Sequence, residues 1–146
     1  MATIYHKVGI KSSVENVYHA LTTDEGLSGW WSSTTDGAGD IGSIINFRFN
    51  EILVQFQVLE LEHNKKVLWK HHAEMPEAWM PTHVSFELEV TEEQVFVHFK
   101  QFDWEEQTPF YAHCNLKWAV FLLSLKDFLE KGQGQPFPND VQIDHS

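Results

Sequence analysis

"PFYAHCNLKWAVFLLSLKDFLEKG", residues 109–132, carries the pattern on which the fold turns. Phe110, Cys114, Trp118, Phe121, Leu122, Leu125, Phe128 and Leu129 fall within about 120° of arc at helical spacing, and Gly132 is placed to end the run. A helix over 109–131 is roughly 34 Å long at about 1.5 Å per residue, enough to cross a whole bent sheet. The segments before it supply that sheet, because their apolar residues recur with period two. Residues 3–10 alternate on Ile4, His6, Val8 and Ile10; residues 43–49 on Ile45, Phe47 and Phe49; residues 52–61 on Ile52, Val54, Phe56 and Val58. A strand over 67–72 follows the "HNKK" turn. Val84, Phe86, Leu88 and Val90 then face Val95, Val97 and Phe99 across an acidic turn, which predicts a long antiparallel hairpin.

Between the first and second strands, Ser12 with Glu15 reads as a capping box for a short helix bearing Val14, Val17, Tyr18 and Leu21. Thr22 with Glu25 repeats the signature ahead of Leu27, Trp30 and Trp31. "SSTTDGAGD", residues 32–40, is turn chemistry and is expected to be a loop. The expected architecture is α+β: a six-stranded curved antiparallel sheet wrapped around a long C-terminal helix, with two short helices after strand 1. Residues 1–132 form one domain in this reading, and residues 133–146 an extended tail.

The chain has 146 residues, 21 acidic against 10 basic, for a net charge of −11. Such a surface repels a phosphate backbone, which argues against nucleic acid as a partner. No apolar run reaches a membrane span of roughly 20 residues, and a single cysteine with no export leader points to the cytoplasm. No metal or cofactor is expected, since the histidines do not occur at ligand spacing. Six tryptophans are more than a core of this size needs, which suggests that some border a cavity between sheet and helix.

Several stretches, taken together, resemble one family: "SSVENVYHALTTDEGLSGWW" at 12–31, "VLELEHNKKVLWK" at 58–70, "THVSFELE" at 82–89 and "WAVFLLSLKDFLEKGQGQPFP" at 118–138. They resemble the START-like helix-grip (SRPBCC) superfamily, and within it the subfamily named after the C-terminal domain of the activator of heat-shock-protein-90 ATPase. The resemblance implies a cavity that takes lipids, sterols, polyketides or other hydrophobic molecules, and in a few members a cyclase activity. Chaperone activators of this kind carry a further N-terminal domain.

The expected cavity lining is Trp30, Trp31, Trp69, Trp79, Phe86, His98, Trp104, Cys114, Trp118, Phe121 and Leu122. The leading expectation is non-catalytic binding of a small hydrophobic ligand, with loops 32–40 and 73–81 as portals. A cyclase or hydratase using His98 or Tyr111, or a protein-interaction module, are the alternatives. One of Trp30 and Trp31 should pin the second short helix under the sheet while the other points to the cavity mouth or solvent. His6, His71 and His98 are read in phase with apolar neighbours, so His6 and His98 are candidate polar anchors. Arg48 is expected on the solvent face, and Cys114 as a core thiol rather than a nucleophile. Leu116, Val120 and Leu123 make a second apolar strip on the last helix, to be covered by the short helices, by the tail at Phe137, or by a second copy in a homodimer.

Overall fold

A computed structural model describes residues 1–72 and 76–143. Strand β1 (Ala2–Ile10) leads into helices α1 (Val14–Thr22) and α2 (Asp24–Trp30). Strands β2 (Thr34–Asp36), β3 (Ile44–Phe49), β4 (Ile52–Glu62), β5 (Lys66–His72), β6 (His83–Val90) and β7 (Val95–Trp104) follow, with a 3₁₀ turn at Glu77–Trp79 between β5 and β6. Helix α3 (Pro109–Lys131) closes the domain. The strands form one antiparallel sheet of seven in the order β1-β7-β6-β5-β4-β3-β2, so β1 closes back on β7 after the meander.

Helix α3 begins and ends where its local chemistry says it should. Thr108 caps it by accepting from the Tyr111 N–H at 3.2 Å, and Pro109 occupies the first turn, where a missing N–H costs nothing. Gly132 stops it at φ 81°, a left-handed conformation that a side chain disfavours. Its buried stripe is Cys114, Trp118, Phe121, Leu122, Ser124 and Leu125.

Two expectations are corrected at the short helices. The cap of α1 is Ser13, whose Oγ accepts from Asn16 N at 3.1 Å, and that of α2 is Thr23, which accepts from Gly26 N at 3.0 Å. Both lie one residue later than the pattern suggested. Thr22 still belongs to α1, its hydroxyl donating to the Tyr18 carbonyl at 2.8 Å, so the capping role passes to its neighbour.

The sheet has a seventh strand where a loop was expected. Thr34, Thr35 and Asp36 pair with Arg48, Phe47 and Asn46 of β3. Asp36 accepts from Asn46 at 2.7 Å and forms an ion pair with Arg48 at 2.5 Å. Both partners of that pair are exposed, so it marks register more than it adds stability. Arg48 faces solvent, as its phase predicts.

The tail packs back on the domain and turns at Pro136–Asn139, where the Asn139 N–H donates to the Pro136 carbonyl at 2.8 Å. Phe137 N–H donates to the Trp31 carbonyl at 2.7 Å, and Ser33 N–H donates to the Phe137 carbonyl at 3.1 Å. Ser124, a polar residue within the apolar stripe of α3, explains the docking. Its hydroxyl donates to the Trp30 carbonyl and accepts from Gln135 N–H, both at 2.8 Å. Gly134 completes the contact, since a Cβ there would stand 2.6 Å from the Gly29 carbonyl oxygen. Ser124→Ala is therefore expected to cost about 2 kcal/mol, because the buried Trp30 carbonyl and the part-buried Gln135 N–H lose their partner. Urea denaturation measures this, and a loss under about 0.5 kcal/mol would show that the joint bears no strain.

Candidate functional site

The N-terminal half of α3 and the β3–β4 hairpin border a cavity of about 680 Å³ that is open to solvent on one side. One wall belongs to the sheet: Phe49 of β3, Ile52, Val54 and Phe56 of β4, His71 of β5 and Gln101 of β7. The other belongs to α3, through Phe110, His113, Cys114, Lys117, Trp118 and Phe121. Trp31 bounds one end, and Trp79 with the tail residues Phe137, Asp140, Gln142 and Ile143 adds to the lining. Cys114 is why space remains. One turn before Trp118 on the same stripe, it places a small side chain where another ring would fill the gap.

The two adjacent indoles divide the work. Trp30 is fully buried and donates its Nε1–H to the Ala20 carbonyl at 2.9 Å, which ties α2 to α1. Trp31 turns from the end of α2 into the cavity, where its ring lies 4.1 Å from Phe47, 4.9 Å from Trp118 and parallel to Trp69 at 6.1 Å. It is only 4% exposed, so the indole that does not pin the helix lines the interior and avoids solvent.

Of the residues proposed from sequence, Trp31, Trp79, Cys114, Trp118 and Phe121 come together around this space. Trp30, Trp69, Phe86 and Leu122 lie behind the wall in the closed core. Trp104 packs edge-on against Tyr111 at 5.2 Å. His98 is a correction. Val97 and Phe99 are fully buried, so strand alternation turns His98 to the outer face. There its Nδ1 meets the Tyr5 hydroxyl at 2.6 Å and its Nε2 meets Glu89 at 2.8 Å. His6 faces α3 and bonds the Asn115 carbonyl at 3.2 Å, away from the cavity. Tyr111 donates its hydroxyl to the Thr3 carbonyl at 3.1 Å.

Parity could have found several lining residues that were passed over. Phe49 and Phe56 share phase with buried neighbours, and Gln101 is a polar residue two places beyond Phe99 on the inward face of β7. Phe137, Asp140 and Lys117 gave no such signal, because only the return of the tail brings them here. Of the expected portals, residues 73–75 lie outside the described residues, while Trp79 stacks on His71 at 5.4 Å.

The polar groups of the lining are mostly engaged with one another. Thr82 Oγ1 donates to the Trp79 carbonyl at 2.7 Å and accepts from Gln101 Nε2 at 3.2 Å. Gln101 Oε1 accepts from the Trp118 indole at 2.8 Å. His71 Nδ1 stands 3.0 Å from Thr82 Oγ1. Burial pushes the His71 pKa down to about 4, the Thr82 carbonyl opposing and the charge of His83 assisting. Burial also pushes the Cys114 thiol up to about 11, partly offset by the Trp79 indole N–H at 3.4 Å. Cys114 is thus a protonated thiol at neutral pH. Lys117 is paired with Asp140, whose side chain is wholly buried, and also donates to the Val141 carbonyl at 2.7 Å. Among the described residues no group of three or more His, Cys, Asp or Glu side chains could hold a metal ion, and no helix is long and apolar enough to cross a membrane.

A strongly bent antiparallel sheet that closes on a long C-terminal helix, with two short helices after the first strand and a ring-lined space between, is a START-like helix-grip domain. The chain belongs to the family of Activator of Hsp90 ATPase homolog 1-like proteins, whose model matches residues 11–130. It is 55% identical to the solution structure of the Aha1 dimer from Colwellia psychrerythraea, with a TM-score of 0.86 over 92% of this chain and 100% of that one. Protein SSP2350 from Staphylococcus saprophyticus shares the fold at 20% identity, TM-score 0.77, over 91% of this chain and 95% of its own. Protein BH1534 from Bacillus halodurans does so at 17% identity, TM-score 0.74, over 89% of this chain and 98% of its own. No curated protein matches the chain.

Proposed function

We propose that this domain binds a small, largely apolar molecule in the cavity between sheet and α3, without transforming it. The observation that carries the reading is the 680 Å³ space itself, bordered by the rings of Trp31, Phe49, Phe56, Trp79, Trp118 and Phe121. Its size is that of sites which enclose a drug-sized ligand. The same lining favours binding over catalysis, because the Cys114 thiol and the His71 imidazole are both uncharged near pH 7. Titrating the intact chain with flavonoids, aromatic polyketides and fatty acids should quench its tryptophan fluorescence saturably, with a Kd on the order of micromolar for the best compounds. Cys114→Phe, which projects a ring into the space, should weaken binding at least tenfold. Silence across the whole panel would remove the reading.

A second reading concerns self-association. Leu116 and Leu123 are 54% and 57% exposed, and the tail does not cover them: Phe137 packs instead on Phe49, at 5.2 Å. The 55%-identical Colwellia protein is described as a dimer. These observations favour a homodimer in which the strip Leu116, Val120 and Leu123 meets its copy. Sedimentation should then give a mass that rises with concentration in the wild type, and a monomer at all concentrations in Leu116→Glu/Leu123→Glu. A wild type that stays monomeric would exclude it. Neither reading needs a chaperone partner, so activation of a purified Hsp90 ATPase by the added chain would point to the family's named activity instead.

A further inference from the structure

We infer that the cavity selects a neutral aromatic ligand bearing a hydroxyl group, which donates a hydrogen bond to Nε2 of His71; this rests on the binding reading above and names the ligand chemistry. The argument starts from one proton. The Thr82 hydroxyl has a single hydrogen and gives it to the Trp79 carbonyl at 2.7 Å. With that hydrogen on the carbonyl the hydroxyl oxygen accepts from His71 Nδ1, 3.0 Å away, which then carries the imidazole hydrogen. The Thr82 carbonyl, 3.5 Å from the same nitrogen, reinforces that tautomer. Gln101 fixes Thr82 in turn and is itself fixed by the Trp118 indole.

In the neutral ring, a protonated Nδ1 leaves Nε2 as an acceptor. Among the described residues the hydrogen bonds of His71 are made at Nδ1, and the ring lines the cavity between Phe56, at 4.4 Å, and Trp79, at 5.4 Å. Burial holds the imidazole neutral, so it offers a lone pair and no charge. The rest of the lining sets the other half of the specificity. Its one lysine, Lys117, is matched by the buried carboxylate of Asp140, and the sole arginine is paired with Asp36 on the outer surface. Among the described residues neither of these two cations is left to meet a ligand carboxylate, which would enter at a desolvation cost. A hydroxyl directed at Nε2, on a flat ring framed by Trp31, Trp118 and Trp79, satisfies the site without that cost.

Three probes with one ring frame separate the possibilities: 2-naphthol, 2-methoxynaphthalene and 2-naphthoate, each titrated into the intact protein by calorimetry. The expected result is that naphthol binds at least tenfold tighter than either other probe. His71→Phe should bring naphthol and methoxynaphthalene to within about twofold of each other while still binding both. Should that variant fail to fold, the ¹⁵N shifts of the wild-type imidazole decide. Nε2 should be unprotonated in the free protein and should respond to naphthol but not to its methyl ether. Equal binding of naphthol and its ether by the wild type, preference for naphthoate, or a proton found on Nε2 would each overturn the anchor while leaving the binding reading intact. Failure of all three probes to bind would overturn both.

Discussion

Trp30→Ala is expected to lower the stability of the domain by about 3–5 kcal/mol, the usual cost of removing a fully buried indole. The ring has no exposed surface and stands edge-on to Phe86 at 6.3 Å and parallel to Trp31 at 5.9 Å. Truncation would open a void between α2 and the sheet, and it would strand the Ala20 carbonyl that accepts its Nε1–H. It would also loosen the turn whose carbonyl receives the Ser124 hydroxyl, coupling the loss to the tail. Trp30→Phe keeps most of the packing and should recover more than half of the loss. Chemical denaturation of the three proteins provides the comparison. A Trp30→Ala variant within about 1 kcal/mol of the wild type would show that α2 is held chiefly by something else.

Acidification should weaken the fold in two separable stages, the first of which belongs to His71. Its pKa is near 6.5 when unfolded and about 4 when folded, so between those values the unfolded chain binds more protons. Stability therefore falls as pH drops from 6.5 toward 4, and the span of about 2.5 units corresponds to about 3 kcal/mol. His71→Phe should flatten the stability profile over that window whatever it does to stability at pH 7. The second stage involves Glu89, Glu130 and Asp36, whose carboxyls are held below the usual range chiefly by hydrogen bonds from His98, the Lys11 N–H and Asn46 respectively. Their contribution is present above the unfolded carboxylate pKa and is lost as pH falls through the folded values, so it appears in both proteins. Denaturation midpoints followed from pH 7.5 to 3.5 give the test. An unchanged slope in the variant between pH 6.5 and 4 would mean that the histidine is not buried as neutral imidazole.

Much of the architecture is readable from local pattern. Helix α3 spans the residues its periodicity and caps specify, since Thr108, Pro109 and Gly132 act through neighbours within four positions. The alternation within β1, β3, β4, β6 and β7 names most of their buried residues for the same reason, although Ile52 and Val90, in phase with them at strand ends, are 65% and 62% exposed. It also fixes that His98 points outward, because it lies between Val97 and Phe99; reading that histidine as inward was a parity error, with the information present in the chain. The adjacent hydroxyls Ser12–Ser13 and Thr22–Thr23 are different. Either member could cap, and only the place where the preceding element ends selects between them.

Alternation, capping chemistry and charge determined the elements, their order and their inward faces, because these depend on groups a few residues apart. Tertiary structure alone decided the rest. Strand β2 exists because β3 offers Thr34–Asp36 an edge, the tail lies where Ser124 and Gly134 admit it, and Lys117 meets Asp140 only through that return. The cavity is of this second kind. Whether facing rings fill a space or border it depends on how far two elements diverge, and a small residue such as Cys114 specifies a gap only once the opposite wall is in place.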